Sequence, residues 1–125
     1  MTDLKKYTLL IVDDDAELRD IICSIFETYG FTVLSANSGT SAFEVVKKQK
    51  INLIVSDIRM ADGDGMTLLK KVRERNPEFP IVIFITGFTD IPTEECIKHG
   101  AKNVITKPFD RQHLVDTVKS SLGIA

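Results

Sequence analysis

Nothing in this 125-residue sequence would tie it to a membrane, an export route or a nucleic acid. No stretch approaches the ~20 consecutive apolar residues of a membrane-spanning helix. The apolar run Leu9 to Val12 behind Lys5 and Lys6 is too short for a signal peptide, and Asp13, Asp14 and Asp15 end it at once. A basic excess is missing too: the formal net charge is -2, so direct nucleic-acid binding is not expected of this chain, although an attached domain could still do so. Cysteine is scarce, and Cys23 and Cys96 have neither CxxC nor Cys/His ligand spacing, which argues against zinc. Both are expected as reduced, buried helix residues. Repeats, low-complexity tracts and linkers are absent as well, and the expected setting is the cytoplasm.

What is present is an ordinary globular composition, 43% hydrophobic and 27% charged. The length suits one domain, residues 1–125, able to bury roughly two-thirds of its unfolded surface without disulfides or structural metal. Short apolar, β-rich runs at residues 7–12 (YTLLIV), 31–36, 51–56 (INLIVS), 80–85 (PIVIFI) and 103–106 predict strands. Between them, apolar residues recur at helical spacing: Leu18, Ile21, Ile22, Ile25 and Phe26 before Gly30, then Ala42, Val45 and Val46, then Leu68, Leu69 and Val72 before Pro77. A thinner helix is expected near residues 91–98, ended by Gly100. Asp110 caps a last one carrying Leu114, Val115 and Val118, stopped by Gly123. The order is (βα)₅, which implies an α/β fold with a parallel sheet covered on both faces.

In open sheets of that kind, sites form beyond the carboxyl ends of the strands. The residues predicted there are Asp13 and Asp14, Asp57, Thr86 and Lys107, from four segments far apart in sequence. Crowded carboxylates repel one another, so the site should bind a cation or raise one pKa. Oxygen donors without nearby His or Cys favour Mg²⁺, with Mn²⁺ able to substitute, over zinc. A carboxylate can also attack a phosphoryl group to give an aspartyl phosphate, whose oxygens need cationic and hydrogen-bonding partners. Mg²⁺, the Lys107 ammonium and the Thr86 hydroxyl would supply them.

Taken singly, each feature has a blander explanation. An acidic triplet after a strand can be a helix cap, as expected for Asp15; an Asp, a Thr-Gly or a Lys-Pro can be mere turn chemistry. The weight lies in their convergence on one rim. Asp62-Gly63-Asp64-Gly65 invites a calcium-loop reading, but that alignment puts Met60 first and Lys71 twelfth, where carboxylates are needed. A glycine-rich turn into the third helix, capped by Asp64, accounts for it better.

Together LLIVDDD, IVSDIRMADGDG, FITG and ITKPF resemble, in order and spacing, the response-regulator receiver domain, over essentially the whole chain. The resemblance implies a flavodoxin-like doubly wound sheet of order 2-1-3-4-5. It implies Asp57 as phospho-acceptor, Asp13 and Asp14 as metal-binding pair with Asp14 the more direct ligand, and Arg59 as the donor of a backbone carbonyl to the metal. Thr86 would turn toward the phosphoryl group, and Lys107 would hold it before a cis bond to Pro108. The implied phosphoryl donor is a sensor histidine kinase or histidine phosphotransfer protein. The implied output is an attached domain or target protein reached through the face formed by residues 87–122, with the domain monomeric or dimerising on phosphorylation.

Three departures stand out. Ala61 occupies a place where the family usually has Pro, which should loosen the loop after Asp57. Val104 stands where many members have Tyr or Phe, and the stretch 86–100 is about a residue short, so the output is expected to run through residues 87–99 rather than a rotamer change at Val104. Two rival readings fit the residues less well. A haloacid-dehalogenase-type phosphotransferase would need D-x-D-x-T/V after the first strand, whereas Ala16 and Glu17 follow Asp15. A phosphorylation-independent interaction module would usually have lost an acidic residue or the lysine, and all are kept.

Overall fold

The computed structural model describes residues 3–87 and 91–124. A 3₁₀ turn at Leu4–Lys6 precedes five strands, β1 (Thr8–Val12), β2 (Thr32–Ala36), β3 (Leu53–Ser56), β4 (Ile81–Thr86) and β5 (Asn103–Thr106). Between and after them run α1 (Ala16–Tyr29), α2 (Gly39–Lys48), α3 (Gly65–Arg75), α4 (Thr93–Lys98) and α5 (Arg111–Ser121). All strand pairs are parallel, in the order β2-β1-β3-β4-β5, which is the expected doubly wound sheet.

Alternation along the strands divides the core in two. Leu10, Val12, Ile54, Val82 and Phe84 point to one face and pack with Ala42 of α2, Leu68, Leu69 and Val72 of α3, and Cys96 of α4. Leu9, Ile11, Leu53, Val55, Ile83, Ile85 and Ile105 point to the other, against Ile22, Ile25 and Phe26 of α1 and Leu114, Val115 and Val118 of α5. With β1 between β2 and β3, the chain runs outward to β2 over one face and returns to β3 over the other, as right-handed crossovers demand. The β1/β3 boundary is therefore the switch point, and its carboxyl end is where a crevice opens.

Side chains fix where the helices begin. Asp15 accepts from the Glu17 and Leu18 amides, Ser38 from Ser41, Asp64 from Thr67 and Asp110 from Gln112, satisfying donors that the first turn leaves unpaired. Gly30 ends α1 in the left-handed region at φ 103°, and its N–H returns to the Phe26 and Glu27 carbonyls.

Some boundaries differ from the sequence reading. β3 begins at Leu53, because Asn52 is engaged as a clasp: its side chain accepts from Thr8 N, and its carbonyl from Ile81 N. β4 begins at Ile81 rather than at Pro80, which has no N–H for the ladder, and it extends to include Thr86. α4 spans only six residues and starts at Thr93, since Pro92 takes the cap position without a side-chain bond. Cys96 is buried as expected, whereas Cys23 is only half-buried; both are free thiols. Residues 88–90, part of the expected output segment, lie outside the described residues.

Candidate functional site

The rim residues arrive where the strands stop. Asp13 follows β1 and its N–H donates to Ala36 O (3.2 Å); Asp57 follows β3 and its N–H donates to Val12 O (3.0 Å). Thr86 closes β4, and the first residue past β5, Lys107, donates its N–H to Thr86 O (2.7 Å). The peptide bond between Lys107 and Pro108 is cis, as expected, and so is Phe79-Pro80, which sequence reading missed.

The side chains converge on Asp57. Its Oδ2 accepts from Lys107 Nζ at 2.9 Å and its Oδ1 from the Ile58 N–H at 2.7 Å. The same ammonium lies 3.9 Å from Asp13 Oδ2, so one cation is shared by two carboxylates. Asp13 is almost fully buried, and its Oδ1 accepts from Asp15 N at 2.9 Å. Burial pushes its carboxyl above the usual carboxylate range, the charges of Asp57 and Asp14 push the same way, and the Asp15 amide and Lys107 oppose them.

Thr86 supplies a second kind of observation. It is 2% exposed, and among the described residues its Oγ1 is the one buried side-chain polar atom without a hydrogen-bond partner. Buried hydroxyls are nearly always satisfied, so this orphan on the rim is an exception among the described residues.

Two expected participants stand differently. Asp14 is exposed, and its Oδ2 accepts from the Ala61 N–H at 3.1 Å rather than turning toward Asp57. Arg59 is exposed in the loop two residues after Asp57. Among the described residues, no three carboxylate, thiol or imidazole groups converge closely enough to hold a metal as they stand. The donor chemistry nonetheless fits a hard divalent cation. Asp13 feels the charges of Asp57 and Asp14, and carboxylate oxygens are the donors that Mg²⁺ prefers. Drawing Asp14 inward would complete the set.

Several supporting residues escaped the sequence reading. Arg19 of α1 donates from Nη1 to Asp13 O (2.7 Å), and Ser56 Oγ to Asp57 O (2.7 Å), pinning the backbone on either side of the switch point. A Cβ at Gly65 would run into the Asp57 carbonyl, the Phe84 ring and Ile58 Cα, so only glycine lets α3 start this close to the end of β3. Among these only Gly65 left a trace in the sequence, as the end of the D-G-D-G run. The expectation that Ala61 loosens the loop meets a different arrangement, in which its N–H is a tether. The calcium-loop reading stays excluded: Asp64 caps α3, and Asp62 Oδ1 accepts from Thr40 Oγ1 at 3.1 Å.

The sheet order is that of the flavodoxin-like doubly wound class, here with a lysine-held aspartate beyond the switch point. The comparison with known proteins narrows it: the family model described as the response regulator receiver domain matches residues 9–119, and the chain belongs to that family. Such domains of two-component response regulators accept phosphoryl groups on Asp and generally depend on Mg²⁺. The chain is 36% identical over 116 residues to the transcriptional regulatory protein ZraR of Escherichia coli K12, covering 92% of this chain and 26% of that one. It is 34% identical over 113 residues to the C4-dicarboxylate transport transcriptional regulatory protein DctD of Rhizobium meliloti, covering 90% and 24%. It thus spans about a quarter of the length of these curated relatives. Among solved structures, it matches the CheY-like receiver domain protein of Methanospirillum hungatei with TM-score 0.85, 28% identity and 94% coverage of each chain. NtrX of Brucella abortus, solved with ADP, matches at TM-score 0.85 and 28% identity over 93% of this chain and 27% of that one. Among the described residues, no helix is long and apolar enough to cross a membrane.

Proposed function

We propose that Asp57 is the phospho-acceptor, that Asp13, Asp14 and Asp57, with the Arg59 carbonyl, take up Mg²⁺, and that Lys107 and Thr86 receive the phosphoryl oxygens. The observation that carries this reading is the pairing of a lysine-held carboxylate with an unpartnered buried hydroxyl on one rim. The donor is a phosphohistidine of a sensor kinase or phosphotransfer protein, met in the cytoplasm. An Asp57 oxygen bonds to phosphorus as the P–N bond breaks, and the imidazole leaves with a proton. Mg²⁺, held by Asp13, Asp14 and Asp57 when bound, would supply charge neutralisation for the transferring group. Lys107 passes from holding Asp57 Oδ2 to holding phosphoryl oxygen, and Thr86 Oγ1 gains the partner it lacks. The domain later hydrolyses its own acyl phosphate and acts on no separate substrate.

The chain works as one receiver unit, monomeric or dimerising when phosphorylated, and it touches neither membrane nor nucleic acid itself. The output runs over the α4-β5-α5 side, residues 87–122, to an attached domain or target. Val104 is half-buried against the core and too small for a two-position switch, so ordering or repositioning within residues 87–99, of which 88–90 lie outside the described residues, carries the signal. Incubation with acetyl phosphate and Mg²⁺ should add one acid-stable, base-labile phosphoryl group, seen by intact mass. Asp57→Asn should take up none, and equal labelling of that variant would refute the assignment.

A further inference from the structure

We propose that the backbone N–H of Ala61 competes with the metal for Asp14, so that cation binding must open a latch between the β1-α1 and β3-α3 loops. The inference rests on the Mg²⁺ reading above, and three observations carry it. The Asp14 Oδ2 atom is held by Ala61 N–H at 3.1 Å, across 47 positions of sequence. With Asp14 held there, no three ligating groups among the described residues are close enough for a metal, although Asp13 and Asp57 already share the Lys107 ammonium. In this proposal the Asp14 side chain swings off Ala61 to join them. Finally, the Ala61 loop is closed on itself and tied to a neighbour. Gly65 N–H donates to Ile58 O (2.7 Å), Gly39 N–H to Gly63 O (2.8 Å) and Thr40 Oγ1 to Asp62 Oδ1 (3.1 Å).

The N–H is a property of this residue, because a proline in its place would have none to offer. A backbone donor to a carboxylate stabilises the cation-free arrangement of Asp14, and that stabilisation is lost when the carboxylate turns to the metal. Ala61 thus weakens Mg²⁺ binding and makes occupancy of the site felt in the loop that leans on α2. A Cβ at Gly39 would overlap the Gly63 carbonyl, so this loop and the start of α2 are packed backbone to backbone and movement of one presses on the other.

The test titrates MgCl₂ into the ¹⁵N-labelled wild-type chain and into Ala61→Pro and Ala61→Gly, following amide shifts and hydrogen exchange. Ala61→Pro should bind Mg²⁺ roughly three- to tenfold more tightly, the net worth of one such hydrogen bond. Ala61→Gly keeps the N–H and should stay near wild type. In the wild-type chain the Ala61 amide should lose exchange protection as Mg²⁺ saturates, which remains readable if the proline variant does not fold. An Ala61 amide that keeps its protection at saturating Mg²⁺ overturns the latch while leaving Mg²⁺ binding in place. A wild-type chain that binds no Mg²⁺ overturns the metal reading and the latch with it.

Discussion

Replacing Thr86 by valine should make the unphosphorylated protein more stable and the switch less responsive. The hydroxyl is buried at 2% exposure without a partner, a state that costs about 1–3 kcal/mol relative to a satisfied or apolar group. Valine replaces Oγ1 by a methyl of similar size in the same space, and that methyl adds at most about 0.8 kcal/mol of burial. The expected gain is therefore about 1–3 kcal/mol, or roughly 4 °C or more in Tm for a domain of this size. Thermal and urea unfolding without Mg²⁺ would read it. In the presence of Mg²⁺ and beryllofluoride the order should narrow or reverse, because only the wild-type hydroxyl can then bond to the phosphoryl mimic. Thr86→Ala separates volume from polarity: it removes the orphan oxygen but leaves a void, so its gain should be smaller. A Thr86→Val protein no more stable than wild type would show that the hydroxyl is satisfied in solution, and the reading of Thr86 as a waiting donor would fail.

Other substitutions follow from the same geometry. Lys107→Ala strips the shared cation from Asp57 and Asp13, and should destabilise the Mg²⁺-free protein by about 1–2 kcal/mol while keeping some phosphoryl uptake and losing most of the conformational response; urea unfolding and amide shifts check both. Asp13 has a pKa raised above 3.8, so the native state holds that proton more tightly than the unfolded chain and stability falls as pH rises through the raised value. Accordingly Asp13→Asn should gain on wild type toward neutral pH, with the gap closing below the ordinary carboxylate value; a gap that widens on acidification would contradict the burial account. Gly65→Ala forces a methyl into the Asp57 carbonyl and the Phe84 ring and should cost about 1–3 kcal/mol, with slower labelling of Asp57, measured by unfolding and intact mass.

How much of this was legible in the sequence depends on whether an arrangement is periodic or conformational. The strands announced themselves because a sheet buried on both faces demands continuous apolar runs such as residues 53–56 and 81–85. Carboxyl ends were readable for the same reason: where the apolar runs stop, Asp13, Asp57 and Lys107 follow. Strand starts were less so, since the Asn52 clasp looks polar yet ties β1 to β4 just before β3. α4 was overextended because Ile91 is apolar, and hydrophobicity cannot show that Pro92 lacks a capping side chain. The direction in which Asp14 points was invisible, because it is set by a backbone donor 47 residues away. So was the orphan state of Thr86, which depends on what its neighbours fail to offer. Residue types told which side chains would end the strands, but not their resting arrangement.

The central claim is that one carboxylate, Asp57, carries the phosphoryl group. Borohydride reduces an acyl phosphate to the alcohol and leaves homoserine where the aspartate stood, so reduction after phosphorylation, followed by peptide sequencing, reads the acceptor position directly. The account predicts homoserine at position 57 alone, dependent on Mg²⁺ and weakened in Lys107→Ala. Homoserine at position 13, 14 or 15, with Asp57 unchanged, would contradict it.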